Sequence, residues 1–428
     1  MAANGLIDVF AFGTEIGKLG YSIDEKRSYF QYNPAFLDSG QYTRMFPYIF
    51  KRHKHPQIFT QYEGVAFKGL PPMIADSLPD MFGNIIFKEW FEAKSMSFDK
   101  ISPLEQLSYV ANRGMGALEY RPIADIPTTA NVNFDEIVSV LQQVLEVKTN
   151  TSEKNLSDLA LLNIFKIGTS AGGARPKILV SEHKETKEII PGDIEFSADY
   201  NHYLVKLYMD EEGGYNREKV EYCYHLLTKA AGIEMMESKL IDDKHFATLR
   251  YDRQHGEKQH VLTASGLTGW DYSKPENSSY EKLFDLALGL KVPHKDIREL
   301  FRRMIFNIVF ANTDDHLKNH SFIYDPVDDS WNLGPTYDVT YPIDALRKFL
   351  NTPRALSING KRTNIALGDV LLIADAMVIK NPMKIIQEVQ DVIPEWNTIA
   401  MELEVPEAVR VSISKDFKIL SATASDAV

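Results

Sequence analysis

Three acidic or amide residues in the second half of the chain have the types and spacing that phosphoryl transfer requires. Asp314 and Asn319 are separated by four residues, and Asp338 follows about twenty residues later. A carboxylate at Asp314 can take the proton of a substrate hydroxyl, while the oxygens of Asn319 and Asp338 are hard ligands suited to Mg²⁺. Lys318 can offset the charge that develops on the transferred group. The pattern therefore predicts a catalytic loop with two metal ligands.

The same short pattern also fits a loop without chemistry. Asn312, Asp314 and Asp315 favour turns and helix ends, so they could simply cap the preceding helix. Asp315 could instead be a salt-bridge partner. His316 lies between functional positions in a tight loop, and we expect it to be structural rather than catalytic. The surrounding sequence has to decide between these interpretations.

Composition narrows the class of protein. A length of 428 residues allows two or three domains with sizeable cores. The N-terminal residues lack the features of a signal peptide, no apolar run is long enough to cross a bilayer, and Cys223 is the only cysteine, so we expect a cytoplasmic protein without an intramolecular disulfide. The formal charge of −12 argues against direct binding of nucleic acid by this chain alone.

Residue patterns in the first part of the chain predict mixed strands and helices. Alternation and aromatic content favour strands, and the longer amphipathic runs favour helices. The predicted strands are Leu6–Phe12 and Arg27–Tyr32, and the predicted helices are Asn84–Ser95, Leu104–Asn112 and Phe134–Val147.

The second part reads as strands around a helix, followed by helices. A glycine-rich loop covers Gly168–Gly173, and the helix should run over Asn216–Ala231, with Asn216 as N-cap and Gly232 as its stop. A broad apolar stripe from Ile297 to Val309 predicts a buried helix immediately before Asp314. The predicted strands are Ile178–Val180, Tyr203–Tyr208 and Phe246–Tyr251, and further helices should follow Asn364, broken at Pro382, Pro394 and Pro406.

This order is typical of a protein-kinase-like fold. A glycine loop, a strand with a lysine, a helix with a glutamate, helices and an acidic loop succeed one another as in that fold. We therefore predict an α+β, bilobal fold with a small sheet-rich lobe and a larger helical lobe.

Lys206 is the candidate for binding nucleotide phosphate. Alternation places it on one face with Leu204 and Tyr208, and its ammonium would need an acidic partner. Glu221 on the next helix is preferred over Glu218 for orienting it. The alternative is an edge-strand lysine that faces water.

Two further segments are candidates for binding ATP. Gly168, Ser170, Ala171, Gly172 and Gly173 could bring backbone N–H groups close to phosphates, or form a flexible turn with Arg175 and Lys177 as solvated charges. Residues 250–253 fall where the two lobes should join. There the backbone from Arg250 onward could receive adenine and Tyr251 could flank the ring, or the segment could be a charged strand end.

Several segments together resemble the HipA family of serine/threonine kinases, the toxins of bacterial toxin–antitoxin pairs. Each segment alone is weak, but their order and spacing agree over much of the chain. The segments are residues 78–84 (LPDMFGN), 112–120 (NRGMGALEY), 170–177 (SAGGARPK), 250–253 (RYDR), 312–319 (NTDDHLKN) and 337–338 (YD).

The resemblance implies a kinase-like fold with an extra N-terminal α/β subdomain over residues 1–130. A kinase N-lobe core with the glycine-rich loop would span 150–255, and a helical C-lobe with the catalytic and metal-binding loops would span 256–428. The resemblance also implies ATP and Mg²⁺ as cofactors. By position, Asp314 matches the catalytic Asp, Lys206 the ATP-contacting Lys, Asn319 and Asp338 the metal ligands, and Ser170 the autophosphorylated serine.

The resemblance also implies partners and a cellular role. Family members pair with a small helix-turn-helix antitoxin, HipB-like, and reach operator DNA through it. They arrest growth by phosphorylating a translation-related protein such as an aminoacyl-tRNA synthetase, which links them to persistence. Phosphorylation of Ser170 would inactivate the enzyme by displacing its loop. A small-molecule kinase of similar fold and a pseudokinase that acts as a binding module or co-repressor are the alternatives.

Overall fold

The structure is a computed structural model, which describes residues 5–78, 88, 91, 101–123, 133–147, 175–192, 197–209, 214–274, 278–342 and 353–421. The chain divides into two compact units. The first unit comprises Met1–Glu211 and Ile241–Val261, and the second comprises Glu212–Leu240 and Leu262–Val428. The domain boundaries at 130, 150 and 255 stay predictions.

An antiparallel sheet of five strands begins the first unit. Polar and apolar residues alternate along its strands, so Ile7, Val9 and Ala11 are buried on one face. The first strand ends at Ala11 rather than Phe12, because Phe12 adopts a positive φ of 50° in the turn. In order across the sheet, the strands are Gln57–Phe59, Arg27–Tyr32, Thr14–Ser22, Leu6–Ala11 and Glu119–Arg121.

The helices of the first unit have local sequence signals at their ends. Ser102 and Glu105 form a capping box, in which Ser102 Oγ accepts from the Glu105 N–H at 3.2 Å and the Glu105 carboxylate accepts from the Ser102 N–H at 2.7 Å. The predicted helix Phe134–Val147 is confirmed. Most of the predicted helix Asn84–Ser95 lies outside the described residues. The helices are Pro34–Ser39, Pro72–Ala75, Pro103–Val110 and Phe134–Val147.

A second antiparallel sheet in the first unit contains Lys206. Lys206 ends its strand and is paired on one side with Lys177 and on the other with Phe246. The strand is therefore interior, which rules out the edge-strand alternative. In order, the strands are Ile189–Pro191, Lys177–His183, Tyr200–Lys206 and His245–Leu249, and the short pair Arg253–Gln254 and Glu257–Lys258 follows along the chain.

The second unit is mainly helical. Asn216 caps the first helix by accepting from the Lys219 N–H, and Gly232 follows that helix with φ of 69°, as predicted. Prolines at 382, 394 and 406 stand at the starts of helices, also as predicted. The helices are Arg217–Ala230, Ala264–Thr268, Tyr280–Leu290, His294–Val309, Leu367–Ala376, Pro382–Gln390, Glu395–Glu402 and Glu407–Ser414.

Helix His294–Val309 is the centre of this unit's core. The predicted apolar stripe is buried along its length, including Leu300, Met304 and Ile308. A β-hairpin of Ser321–Asp325 and Ser330–Leu333 follows it, after the 3₁₀ turn Leu317–Asn319. The strands Ser238–Ile241 and His260–Thr263 carry the chain between the two units.

Among the residues that the structure describes, no helix is both long and apolar enough to cross a membrane.

Candidate active site

The loop between helix His294–Val309 and strand Ser321–Asp325 places two neighbouring aspartates in opposite environments. The Asp314 side chain is 65% exposed, whereas that of Asp315 is fully buried. Ala311, with φ of 53°, turns the chain out of the helix just before them. The exposed carboxylate can meet a substrate, and the buried one is part of the fold.

Asp315 is a salt-bridge partner rather than a helix cap. Its Oδ2 accepts from the Tyr280 hydroxyl at 2.8 Å and from the Arg354 guanidinium at 2.9 and 3.2 Å. Its Oδ1 accepts from the Leu356 N–H at 3.3 Å. Burial lowers the pKa of Arg354, whereas the neighbouring negative charge of Asp315 raises it. The net result is a pKa of Arg354 above its usual value. This buried pair anchors the loop.

The backbone before Asp314 is held by the same neighbourhood. Arg354 donates to the Asn312 carbonyl at 3.2 Å, and the Ala355 N–H donates to the Thr313 carbonyl at 2.8 Å. The Asn312 side chain donates to Asn307 Oδ1 at 2.9 Å. Asn312 therefore stabilises the loop.

Asn319 faces Asp314 across the loop. Its Nδ2 donates to the Asp314 carbonyl oxygen at 2.8 Å. This bond fixes the orientation of the amide and directs its Oδ1 away from that carbonyl. An oriented amide oxygen at this position is a suitable ligand for a hard cation.

The hairpin brings Asp338 to the same loop. The Gly334 N–H donates to the Ser321 carbonyl at 2.9 Å, and the Tyr337 hydroxyl donates to the Lys318 carbonyl at 2.6 Å. A Cβ at Gly334 would come within 2.7 Å of Ser321 Oγ, which explains the glycine. Asp338 has φ of 56°, an uncommon value for a non-glycine residue and one that recurs at functional sites.

Lys318 and His316 share an aromatic neighbour that the sequence patterns did not reveal. The Lys318 ammonium lies 4.9 Å from the ring centroid of Tyr272, and the His316 ring centroid lies 5.6 Å from it. His316 Nε2 is 3.9 Å from Asp314 Oδ1. Tyr272 stands in a polar stretch without periodicity, so no local signal marked it.

In the first unit, Lys206 has a second buried lysine directly opposite it. Lys206 is 5% exposed and Lys177 is 2% exposed, and the two pair across neighbouring antiparallel strands. The expectation that Lys177 is a solvated surface charge was wrong. Strand pairing therefore sets two buried lysines on the same face of the sheet.

Residues 250–253 form a buried ionic cluster. Arg250 donates to both oxygens of Asp252 at 2.9 and 2.8 Å, and Arg253 donates to Oδ2 at 2.7 Å. The Gly116 N–H also donates to Asp252, at 3.0 Å, and Arg253 donates to the Gly114 carbonyl at 2.8 Å. Burial raises the pKa of Asp252, but the two arginines outweigh it and hold that pKa far below its usual range.

This cluster bears on the predicted ATP contacts. The Arg250 guanidinium is committed to Asp252, and Tyr251 is 5% exposed, so the charged strand end is folded inward. A role of Arg250 and Tyr251 in ATP binding stays a prediction. Glu221 and Glu218 are both buried on helix Arg217–Ala230, and burial does not separate them.

The predicted site residues thus fall into three groups. Asp314, Lys318, Asn319 and Asp338 are brought together in the second unit, which also holds Glu221. Lys206, Arg250 and Tyr251 belong to the first unit. Gly168, Ser170, Ala171, Gly172 and Gly173 lie outside the described residues.

The donor set fits Mg²⁺ better than a transition metal. No group of three or more His, Cys, Asp or Glu residues suited to a metal occurs in the described ranges. Asn319 and Asp338 instead offer one amide and one carboxylate oxygen. Mg²⁺ is commonly held by one or two carboxylates together with water and substrate phosphates. The residues present are therefore compatible with Mg²⁺ on a nucleotide.

The fold of this chain is similar to that of a solved protein over nearly its whole length. The chain aligns with the solved structure of HipA from Shewanella oneidensis, in complex with HipB and operator DNA, over 96% of this chain and 95% of that one. The TM-score is 0.66 at 14% sequence identity, so the likeness concerns the fold. It confirms the predicted α+β, kinase-like fold.

Two family models place the chain more narrowly. The HipA N-terminal domain matches residues 7–121, and the HipA-like C-terminal domain matches residues 169–396. The second match alone covers more than half of the chain. This chain belongs to the HipA family.

Two weaker likenesses add little. A Sinorhizobium fredii protein named "Putative kinase Y4dM" is 25% identical over 153 residues, which are 32% of this chain and 36% of that protein. The alignment therefore spans only about a third of that relative's length. The Helicobacter pylori proinflammatory kinase CtkA covers 58% of this chain and 90% of its own at 13% identity, and its TM-score of 0.33 is too low to support an argument.

Proposed function

We propose that this protein is an ATP-dependent serine/threonine protein kinase and the toxin of a bacterial toxin–antitoxin pair. One observation carries the proposal: the exposed Asp314 carboxylate stands in a loop to which Asn319 and the Tyr337–Asp338 segment are both hydrogen-bonded. Membership of the HipA family supports the same function. Positioned oxygens of this kind are what phosphoryl transfer demands of a protein.

Each residue of the loop has a distinct role in this proposal. Asp314 orients the substrate hydroxyl and accepts its proton as the new P–O bond forms. Lys318, whose ammonium lies over the ring of Tyr272, offsets negative charge on the transferred group. Because positioning contributes most of the rate, the fixed backbone on both sides of Asp314 matters as much as its basicity.

Bound ATP would supply the phosphoryl group, and Mg²⁺ would offset the charge of its phosphates. Asn319 and Asp338 would hold the metal. In the same proposal Lys206 contacts phosphate, Glu221 orients it, and Arg250 and Tyr251 adjoin the nucleotide. The glycine-rich loop, Gly168 to Gly173, would cover the phosphates with its N–H groups.

The partners follow from the family. The Shewanella structure contains HipA with HipB and operator DNA. We infer that this chain pairs with a HipB-like helix-turn-helix antitoxin and reaches operator DNA through it, which agrees with its charge of −12. Growth arrest would follow from phosphorylation of a translation-related protein, an aminoacyl-tRNA synthetase by family precedent.

A matched pair of variants tests the kinase proposal. The protein is incubated with γ-labelled ATP, Mg²⁺ and a bacterial lysate, beside Asp314→Asn and Asp328→Asn. Asp328 is an exposed carboxylate on the neighbouring hairpin turn and serves as the control. We expect labelled protein bands with the parent and with Asp328→Asn, and none with Asp314→Asn.

Other outcomes would overturn the proposal. Label found only in small molecules would indicate a small-molecule kinase, and no transfer at all would indicate a binding module or co-repressor. Full labelling by Asp314→Asn would exclude Asp314 as the base.

The proposed self-inactivation is tested separately. Ser170 would be phosphorylated by the enzyme itself, and the added charge would repel the phosphates that the loop must cover. Preincubation with ATP should abolish activity of the parent but leave Ser170→Ala active. A Ser170→Ala protein that also loses activity would rule out this switch.

A further inference from the structure

A buried polar cluster adjoins the proposed catalytic base. Tyr280 is 0% exposed, Asp315 1% and Arg354 5%. Asp315 receives the Tyr280 hydroxyl and two N–H groups of Arg354 on its Oδ2. Asn307 donates to the Tyr280 oxygen at 3.0 Å, so this hydroxyl both donates and accepts. The cluster joins three elements that are far apart in sequence.

The cluster fixes the chain on both sides of Asp314. Before it, the carbonyls of Asn312 and Thr313 accept from Arg354 and from the Ala355 N–H. After it, Asp315 is held through its carboxylate. The Asp314 carbonyl itself accepts from Asn319. With its backbone held in this way, the remaining freedom of Asp314 lies in its own side-chain torsions.

A catalytic carboxylate depends on such restraint. Displacing a reacting group by about 1 Å can cost roughly 10²-fold in rate, even when the cause lies outside the reacting groups. Charge-assisted hydrogen bonds are strongest and most directional where water is excluded, as it is around Asp315. The buried aspartate is therefore well placed to hold the exposed one.

We propose that Asp315, Tyr280 and Arg354 are positioning residues for phosphoryl transfer, which act by holding the backbone of Asp314 in its productive place. This inference rests on the proposed kinase function. The inference also includes the segment 353–356, which is hydrogen-bonded to the proposed catalytic loop through Arg354, Ala355 and Leu356. A change in that segment would reach Asp314 through these bonds.

Two tyrosines allow a matched test. Tyr280→Phe removes the hydroxyl that binds Asp315. Tyr224→Phe removes an equally buried hydroxyl that donates to the Phe310 carbonyl at 2.7 Å, one residue past the end of helix His294–Val309. Each substitution deletes one buried oxygen. Tyr280→Phe removes two hydrogen bonds, to Asp315 and from Asn307, whereas Tyr224→Phe removes one. We therefore expect Tm to decrease in both variants, and more in Tyr280→Phe.

Their activities should differ. The rate of label transfer at saturating ATP should fall by about tenfold in Tyr280→Phe, within the range that misplacement of a reacting group produces, and stay near the parent value in Tyr224→Phe. The ATP concentration at half-maximal rate should be unchanged in both, because neither hydroxyl is proposed to touch the nucleotide. A merely structural role would lower both activities together.

A second variant keeps the proposal testable if Tyr280→Phe fails to fold. Arg354→Lys retains the buried charge but loses the planar fork that reaches Asp315 and Asn312 at once. It should show the same loss of maximal rate with unchanged half-saturating ATP. Retention of the parent rate by a folded Arg354→Lys, or by Tyr280→Phe, overturns the inference.

The two proposals fail in different ways. If the parent protein transfers no label to protein, the proposed function is wrong, and if Asp314→Asn is fully active, Asp314 is not the base. If Asp314→Asn is inactive while Tyr280→Phe and Tyr224→Phe have equal maximal rates, the function stands and the positioning role is wrong.

Discussion

Each unit of this protein buries an aspartate against arginine, and the two clusters have different consequences. Asp252 in the first unit pairs with Arg250 and Arg253, and Asp315 in the second pairs with Arg354 and Tyr280. Both carboxylates are essentially inaccessible to water. Their chemistry is nearly the same, so the difference has to come from what each cluster holds.

Asp252 joins distant parts of the first unit. Its cluster binds the backbone at Gly114 and Gly116 to the segment that follows strand His245–Leu249. A second ion pair, Lys258 with Glu119 at 2.9 Å, lies on the same connection and is half-buried. Burial lowers the pKa of Lys258 to about 8 and that of Arg253 to about 9. No solvent-exposed reactive group adjoins Asp252 in sequence, since its neighbours Tyr251 and Arg253 are buried too.

Asp315 differs from Asp252 in the exposure of the residue that precedes it. The residue before it, Asp314, is exposed. The cluster therefore restrains the backbone of a side chain that a substrate can reach. Under the proposed function, a buried ion pair acquires a functional role through the residue beside it rather than through its own strength. The same contact that stabilises one unit positions a proposed catalytic group in the other.

The largest expected effect is a loss of stability in Asp252→Ala, in contrast to a loss of activity in Asp314→Ala. Asp252→Ala leaves two arginines buried without their carboxylate, and we expect the free energy of unfolding to fall by about 3–5 kcal/mol. Asp314→Ala changes an exposed side chain, and its effect on stability should stay within about 0.5 kcal/mol although label transfer is lost. Urea unfolding of both variants measures the contrast. Equal stabilities would show that the Asp252 cluster contributes little to the fold.

Acid should weaken both units through buried histidines, among them His260 in the first unit and His320 in the second. Burial lowers the pKa of His260 in the first unit to about 3 and that of His320 in the second to about 4. Unfolded histidine titrates near pH 6.5, so the unfolded state binds more protons than the native state below that pH. Each histidine then removes about 1.4 kcal/mol of stability per pH unit, or about 3 kcal/mol by pH 4.5.

The two histidines can be told apart at lower pH. The His320 contribution should level off near pH 4, while that of His260 should continue to about pH 3. Unfolding curves of the parent, His260→Leu and His320→Gln between pH 7 and pH 3 test this. His320→Gln should flatten the pH dependence by about one proton down to pH 4, and His260→Leu should do so down to pH 3. A slope unaltered by either substitution would contradict the assignment.

Local sequence patterns revealed the elements but only part of the site. The stripe on helix His294–Val309, the cap at Asn216 and the strand Arg27–Tyr32 follow from spacing of three, four or two residues, which short segments carry by themselves. The loop from Asp314 to Asn319 was predicted in the same way, because its residues are adjacent in sequence.

The remaining contacts join residues that no local pattern connects. Asp252 meets Gly116 across 136 positions, and Asp315 meets Arg354 across 39. Lys177 reads as a surface charge until strand pairing sets it against Lys206. Such contacts are set by the tertiary fold, which a single sequence does not display.

The smallest expected effect concerns the link between the loop and Asp338. Tyr337→Phe removes the 2.6 Å hydrogen bond to the Lys318 carbonyl. This loss should destabilise the local structure by about 1 kcal/mol. Because Asp338 follows directly, the Mg²⁺ concentration at half-maximal label transfer should rise by roughly fivefold. Tyr324→Phe, which loses a hydroxyl bonded to Asp329 on the same hairpin, is the control and should leave the Mg²⁺ dependence unchanged. Identical Mg²⁺ curves for the two variants would mean that the backbone of the hairpin alone places Asp338.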